Sequence, residues 1–372
     1  MGMTAGRKRA ARTRLTLTVA AIGAAALLAA GCGEDSSGSG SAAAAPPVVT
    51  TADGRAPTVE QLRSRLEGRS ITIGSAAFPN PSLVGLYKVA EILRADFGLD
   101  VELRLLDSAP LTAALLSGDV QLGHVSLAGL ASAVEAGGKL RAIAGDDQKN
   151  IFLVTARAPI RSIEELKGKK FAISQSLTSI VGQTAAKCFR DAGLDVQKDT
   201  QLLQLDNVGS IVEGLESGTF DGGVSATFRQ IELDERSPGE WNVLCNGWEA
   251  DPQLNDVVAA NEQWLADNGD VAQAVAIAEL QAARWTKQDP AGWQALAIEQ
   301  LDGLTPAQAR ANYGVLVEQL DDWPVNGSLD RELCDYTLRT SKEVGALRDE
   351  LACDDLVTFQ YQDAAVALLG KR

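Results

Sequence analysis

The chain has 372 residues, 45% of them hydrophobic and 22% charged, enough for two ordinary domains with real cores and unlike an intrinsically disordered chain. A formal net charge of −15 argues against nucleic acid, whose phosphates it would repel, and a solvated acidic surface is sufficient to account for it. One histidine and five cysteines without a C-x-x-C spacing argue against a zinc site.

The N-terminus reads as targeting. Arg7, Lys8, Arg9, Arg12 and Arg14 precede an uncharged apolar run over 15–30, and "LLAAGC" closes it with Ala29, Ala30 and Gly31 before Cys32. This resembles a bacterial lipoprotein signal over 1–32, in which Cys32 is lipidated and becomes the mature N-terminus. The alternative is an ordinary signal peptide or a short membrane anchor, although the run is short for a membrane span. Residues 33–60 are rich in Gly, Ser, Ala and Pro, a composition that predicts a flexible linker. The expectation is a body held by its lipid on the extracytoplasmic face of the cell membrane. Removing the signal takes away five positive charges and no negative ones, so the formal charge moves from −15 to −20.

From Ile71 onward short apolar runs alternate with helical patterns. Strands are predicted at 70–75, 100–106, 120–125, 140–145 and 151–156, with helices at 82–97, 109–117 and 127–137. The first of these helices follows Pro81, has Ser82 as a cap candidate, and stops at Gly98. A second round has strands at 170–174, 201–206, 220–226 and 240–247 and helices at 178–193 and 208–217. After Pro252 the pattern is helical, over 256–268, 270–287, 290–302, 306–320, 329–348 and 356–369, with no convincing strand. The reading is α/β, two units with mainly parallel sheets in series followed by a helical C-terminal region. Lobe 1 is expected over 61–156, lobe 2 over 157–246, and a helical region over 247–372 that completes lobe 1. Crossovers between lobes are expected near 155–160 and 245–252.

Four segments, in order, resemble the type II periplasmic-binding proteins of ABC importers, in particular the nitrate/sulfonate/taurine and thiamine-precursor branch. "ITIGSAAFPNPSLVGLYKVAEILRADFGLDVEL" is similar to the opening strand, ligand loop and first helix. "TAALLSGDVQLGHVSLAGLASAVEAG" is similar to an SG-x-x-D segment, with Gln121 where the family has Asp. "IRSIEELKGKKFAISQSLTSIVGQTAAKCFRDAGLD" is like the entry into the second lobe, and "GSIVEGLESGTFDGGVSATFRQ" repeats the SG-x-x-D pattern with Asp221. The resemblance spans roughly 70–235 and implies a two-lobed fold with a hinge. It further implies a monomer that carries a small organic anion (sulfonate, taurine or nitrate-like) to an ABC permease and its ATPase subunit, with no cofactor and no catalysis. Gln121 is expected to cause a small packing change and no change of function.

Candidate ligand contacts follow from strand ends that lead into helix N-termini, where free backbone N–H groups and a partial positive charge meet. The cluster Ser174, Ser176, Thr178 and Ser179 could grip a polar head, whereas simple helix capping needs only one such residue. In the loop at 76–82, Phe78 could stack on or shield a ligand or serve as a buried anchor, and Asn80 and Ser82 could hydrogen-bond it. Ser126 and Leu127 open the helix after the third strand, Asn207 opens another, and Thr227 and Phe228 follow the strand at 220–226. Arg229 could pair with an anion or be an ordinary solvated helix residue. Asp146 and Asp147 could hold an ammonium group or simply make a turn. His124, at a strand end, reads as packing.

Cys188, Cys245, Cys334 and Cys353 are an even count in an exported chain and suggest two disulfides among three possible pairings. Cys188 with Cys245 and Cys334 with Cys353 are favoured, because each pair then lies within one stretch of the fold. Two other functional classes remain. A protein of this fold that binds or makes a thiamine-pyrimidine precursor would, as an enzyme, need particular His and Lys residues where this chain has one His, and a Ser–His–acid triad would have to use His124 without a G-x-S-x-G elbow; a ligand-sensing lipoprotein would use the same lobes.

Overall fold

Amphipathic spacing dictates the first large element of the body. Leu86, Val89, Ala90, Leu93 and Phe97 recur at helical steps, are fully buried, and give the helix Val84–Phe97 its inner face. Gly98, at φ 70°, ends that helix in the left-handed region. The computed structural model describes residues 56–76, 78–205 and 208–372. The segment expected to be an export signal with Cys32, the expected linker as far as residue 55 and the candidate Asn207 lie outside the described residues.

Two five-stranded sheets organise the body. The strands are β1 (Ser70–Ser75), β2 (Asp100–Leu105), β3 (Leu122–Ser126), β4 (Leu140–Gly145), β5 (Phe152–Arg157), β6 (Lys170–Ser174), β7 (Gln201–Leu205), β8 (Gly222–Ala226), β9 (Trp241–Asn246) and β10 (Asp256–Asn261). Sheet order is β2-β1-β3-β10-β4 in lobe 1 and β7-β6-β8-β5-β9 in lobe 2. In each sheet the fourth strand runs antiparallel to its neighbours and has crossed over from the other lobe.

Three boundaries differ from the sequence reading. The linker expected over 33–60 ends earlier, because Val59–Leu66 is a helix capped by Thr58 with Leu62 and Leu66 fully buried. The segment 256–268, expected as helix, splits into β10 and a short helix, Glu262–Asp267. Val257, Val258, Ala259 and Ala260 are fully buried, and so short an apolar run has the same periodicity in a buried strand as in a buried helix. What decides is the place left between β3 and β4, a pairing far away in sequence. The run 151–156, expected in lobe 1, is β5 of lobe 2, hydrogen-bonded between β8 and β9. The first crossover is therefore 146–151 rather than 155–160, and the second is 247–255.

The two crossovers lie side by side. Asn255 N donates to Gln148 O at 3.3 Å and Asp256 N to Asp147 O at 3.2 Å. A Cβ on Gly247 would sit 2.4 Å from the Asn150 side chain, so only glycine lets the segments approach this closely. The two SG turns perform one task in both lobes. Gln121 Oε1 accepts the N–H of Thr72 at 2.8 Å in β1, and Asp221 Oδ2 accepts that of Lys170 at 2.9 Å in β6. The longer amide does in lobe 1 what the carboxylate does in lobe 2.

The C-terminal helices pack mainly on lobe 1, where Gly269–Gln288 runs against both Val84–Phe97 and Gln360–Leu369. They also reach lobe 2. The helix Pro306–Tyr313 packs against Thr227–Arg236, with Gln308 Nε2 donating to Glu235 Oε2 at 2.6 Å. A hydrophobic cluster of Val84, Ile151, Phe228, Trp293, Leu316 and Trp323 thus joins all three parts. Disulfides link Cys188 to Cys245 and Cys334 to Cys353, the pairing favoured from sequence.

Candidate functional site

At the carboxyl edge of the lobe 2 sheet, β6 and β8 lie side by side and parallel, and each delivers a hydroxyl to its end. Ser174 closes β6 and is 1% exposed; Thr227 follows β8 and is 3% exposed. Neither hydroxyl has a hydrogen-bond partner. A buried hydroxyl without one costs on the order of 1–3 kcal/mol, so a pair of them at adjacent strand ends calls for a partner. Three helices begin at this edge, Ile180–Asp191, Val208–Glu216 and Thr227–Arg236, and turn the partial positive charge of their N-termini towards it.

The rest of the predicted cluster shapes the loop. Ser179 caps the helix Ile180–Asp191 by accepting from Gly182 N at 3.4 Å, and its hydroxyl donates to Ser176 O at 2.7 Å. The hydroxyls of Ser176 and Thr178 hydrogen-bond each other at 2.9 Å. Gln175 holds a φ of 61°, a costly conformation for a residue with a side chain. Gly182 is required here, because a Cβ would lie 2.3 Å from Ser176 O and 2.4 Å from Leu177 Cα.

Phe78 extends from lobe 1 towards this edge. It is 40% exposed, and its ring meets that of Phe228 edge-on at 6.2 Å, across the two lobes. The Arg229 guanidinium lies 5.3 Å from the Phe78 ring centre and 5.5 Å from that of Phe228, while Nη1 pairs with Glu232 at 2.7 Å. Arg229 is therefore neither an ordinary solvated residue nor an uncommitted cation: its charge is matched and its face is stacked. Asn80 and Ser82 serve the loop itself. Asn80 Oδ1 accepts from Ser82 N at 2.9 Å and Ser82 Oγ at 2.7 Å, and its amide donates to Phe78 O at 2.8 Å. Ser126 caps its helix through Gly129 N at 3.1 Å. Leu127 is fully buried in the lobe 1 core.

Asp146, Asp147 and His124 form something the sequence reading did not foresee. All three are buried at the carboxyl edge of the lobe 1 sheet. His124 Nδ1 is 2.6 Å from Asp146 Oδ2, and Nε2 is 3.3 Å from Glu279 Oε1 without hydrogen-bond alignment. Asp147 Oδ1 accepts from Asn255 Nδ2 at 3.1 Å and Asp256 N at 3.2 Å. Asp322 Oδ1 accepts from Lys149 N at 2.7 Å. Burial alone would pull the His124 pKa down, but Asp146 and Glu279 outweigh it and hold it well above the ordinary value. Burial pushes Asp256 and Glu279 up to about 7 and Asp322 up to about 8, and with neighbouring carboxylates it raises Asp147 strongly. These acids are committed to the interior rather than open to a ligand ammonium. His124, the one histidine a Ser–His–acid triad could use, faces carboxylates on both nitrogens.

Two small cavities accompany these features. One of about 10 Å³, room for a single water, lies among Gly85, Asp146, Glu279 and Trp323. The other, about 30 Å³, lies among Ala76, Thr112, Leu115, Ser126 and Leu130. Neither is bordered by both the 76–82 and the 174–179 segments. Across the lobes the structure brings 76–82 to Phe228 and Arg229 instead.

Two sheets, each completed by a strand from the other half, two adjoining crossovers and unpartnered hydroxyls at helix entrances define a two-lobed binding protein. The family of ABC-transporter phosphonate periplasmic substrate-binding proteins matches residues 73–313, and the chain belongs to it. Among solved structures, the chain is similar to the aliphatic sulphonate binding protein SsuA of Escherichia coli, with 17% identity, TM-score 0.64, and 78% of this chain and 92% of that one covered. It is also similar to the alkanesulfonate-binding SsuA of Xanthomonas axonopodis pv. citri bound to MOPS, with 18% identity, TM-score 0.64 and coverage of 78% and 99%. The nitrate-binding NrtA of Synechocystis PCC 6803 gives 9% identity, TM-score 0.66 and coverage of 82% and 90%. At these identities the likeness shows the fold. No curated protein sequence matches the chain. The family is extracytoplasmic, and among the described residues no helix is long and apolar enough to cross a membrane.

Proposed function

We propose that the protein binds a small anion of the sulfonate, nitrate or phosphonate kind that presents one negative charge, and delivers it to an ABC permease and its ATPase. The observation that carries this reading is the pair of buried, unpartnered hydroxyls of Ser174 and Thr227, at adjacent strand ends where helices begin. An anion there accepts from both hydroxyls and from backbone N–H groups. Arg229, already matched by Glu232, adds little net charge, which favours one negative charge over two. Phe78, edge-on to Phe228 and against the Arg229 guanidinium across the lobes, covers the site when they close and must part from them to admit a ligand. The polypeptide acts as a monomer, anchored by lipid at Cys32 through the linker that precedes the helix Val59–Leu66.

A thermal-shift screen with ethanesulfonate, taurine, nitrate and methylphosphonate tests the reading. A ligand present at a hundred times its Kd adds about 2.7 kcal/mol to stability and raises Tm accordingly. Ser174→Ala/Thr227→Val is expected to abolish that shift while folding normally, since it removes two unpartnered hydroxyls. A full shift retained in the double variant, or no shift with any anion, would refute it.

A further inference from the structure

Gln183 is a buried amide on the helix Ile180–Asp191 whose carboxamide meets three separate parts of the protein. Its Nε2 donates to Thr178 O at 2.8 Å, within the loop that follows Ser174, and approaches Ser341 Oγ at 3.4 Å. Its Oε1 accepts from Gln253 Nε2 at 3.1 Å, in the second crossover. Ser341 stands on the helix Arg331–Glu343, which packs on Leu127–Glu135 of lobe 1. One side chain thus touches the lobe 2 loop, the connection about which the lobes would turn, and the body of the opposite lobe.

We infer that Gln183 is a positioning residue that couples the conformation of the 175–179 loop to the closure of the two lobes. Only a primary amide offers two donors and an acceptor in this arrangement. Glutamate keeps the acceptor but turns a second oxygen on Thr178 O, and methionine keeps the volume and loses all three contacts. The second crossover is itself held from the lobe 1 side: Leu254 N donates to Thr337 Oγ1 at 2.9 Å, and Tyr336 OH donates to Asp251 Oδ1 at 3.1 Å. Parting the lobes separates Ser341 from Gln183 and shifts Gln253, so the restraint on Thr178 weakens as the cleft opens. Coupling of this kind is reciprocal. A loop fixed by a bound anion favours closure, and closure fixes the loop. The inference rests on the proposed anion site at Ser174, from which that loop starts.

Hydrogen exchange on the full folded chain without ligand tests it, using Gln183→Met, Gln183→Glu and Gln253→Met. Gln253→Met is expected to speed exchange of the 175–183 amides by about tenfold, and Gln183→Met to do the same across 251–256. The helix Val84–Phe97 is expected to exchange unchanged, and the double variant no faster than either single one. Acceleration confined to each substituted segment, or additive in the double variant, overturns the coupling. Should a Gln183 variant fail to fold, Gln253→Met and Ser341→Ala read the same loop amides and decide the matter alone. A failed anion screen would remove the binding reading and leave the exchange result to judge Gln183.

Discussion

Replacing His124 with leucine is expected to destabilise the protein by about 3–5 kcal/mol at pH 8, because it strips a buried counter-charge from Asp146 and Glu279. The loss should shrink markedly at pH 5.5, where Glu279, held at about 7 by burial, carries its proton. Glu279→Gln added to His124→Leu should recover part of it by removing one of the unmatched acids. The wild type should show the same signature without mutation. Asp256 and Glu279, at about 7, and Asp322, at about 8, keep their protons to higher pH when folded than in the unfolded chain, where their ordinary values are 3.8 for Asp and 4.5 for Glu. Asp147 and His124 are raised as well. For every raised group the stabilising contribution is complete below its unfolded pKa and lost as pH rises through its folded one. Stability is therefore expected to fall between pH 5.5 and pH 8.5, lowering Tm by roughly 5 °C. Exposed carboxylates work the other way. Arg104 holds Glu102 down, and Lys198 holds Asp195 down, so their contribution is lost only as pH falls below their ordinary values. Lys149 beside Asp322 lowers its pKa and does not reverse the sign. Denaturation curves at the two pH values check this, and equal losses for His124→Leu at both would contradict it.

Local pattern made most of the fold legible. Strands β1 to β4, the helices between them and the SG turns each carry their own periodicity and punctuation, so a reader of the sequence finds them one at a time. β10 could not be found that way. Its four buried residues say only that the segment is interior, and its identity as a strand depends on β3 and β4 more than a hundred residues earlier. The same holds for β5, whose pattern was clear while its sheet was not. In the candidate site, the hydroxyls of Ser174 and Thr227 were readable because a strand end followed by a helix start is a local signal. Gln183 was not. A glutamine in an amphipathic helix looks solvated until Gln253 and Ser341 close over it. His124 read as packing and is indeed buried. Its partners Asp146 and Glu279 come from a crossover and a distant helix, so the ion cluster had no trace in spacing.

The disulfide between Cys188 and Cys245 is expected to carry the larger share of the stabilisation that the two bridges provide. It closes a separation of 57 residues against 19 for Cys334 and Cys353. On the chain-entropy account these separations correspond to about 4 and about 3 kcal/mol. Cys188→Ala/Cys245→Ala should therefore lower stability more than Cys334→Ala/Cys353→Ala, in urea titrations where neither variant leaves a free thiol. Location makes the two differ in kind as well as size. Cys188 lies on the helix Ile180–Asp191, which carries Ser179 and Gln183, and Cys245 lies on β9 at the edge of the same sheet. Cutting that bond frees the helix that shapes the 174–179 loop, so anion affinity should fall together with stability. Cys334 and Cys353 instead fasten the helix Arg331–Glu343 to the short helix Cys353–Leu356, within the C-terminal region. Their removal should lower stability and reach the 175–179 loop only through Ser341 on that helix, so the loop's exchange should quicken less than when the Cys188–Cys245 bond is cut. A Cys188→Ala/Cys245→Ala variant that loses less than about 1 kcal/mol would show that the packing of Phe171 on Phe189 and Val181 already holds lobe 2 without the bridge.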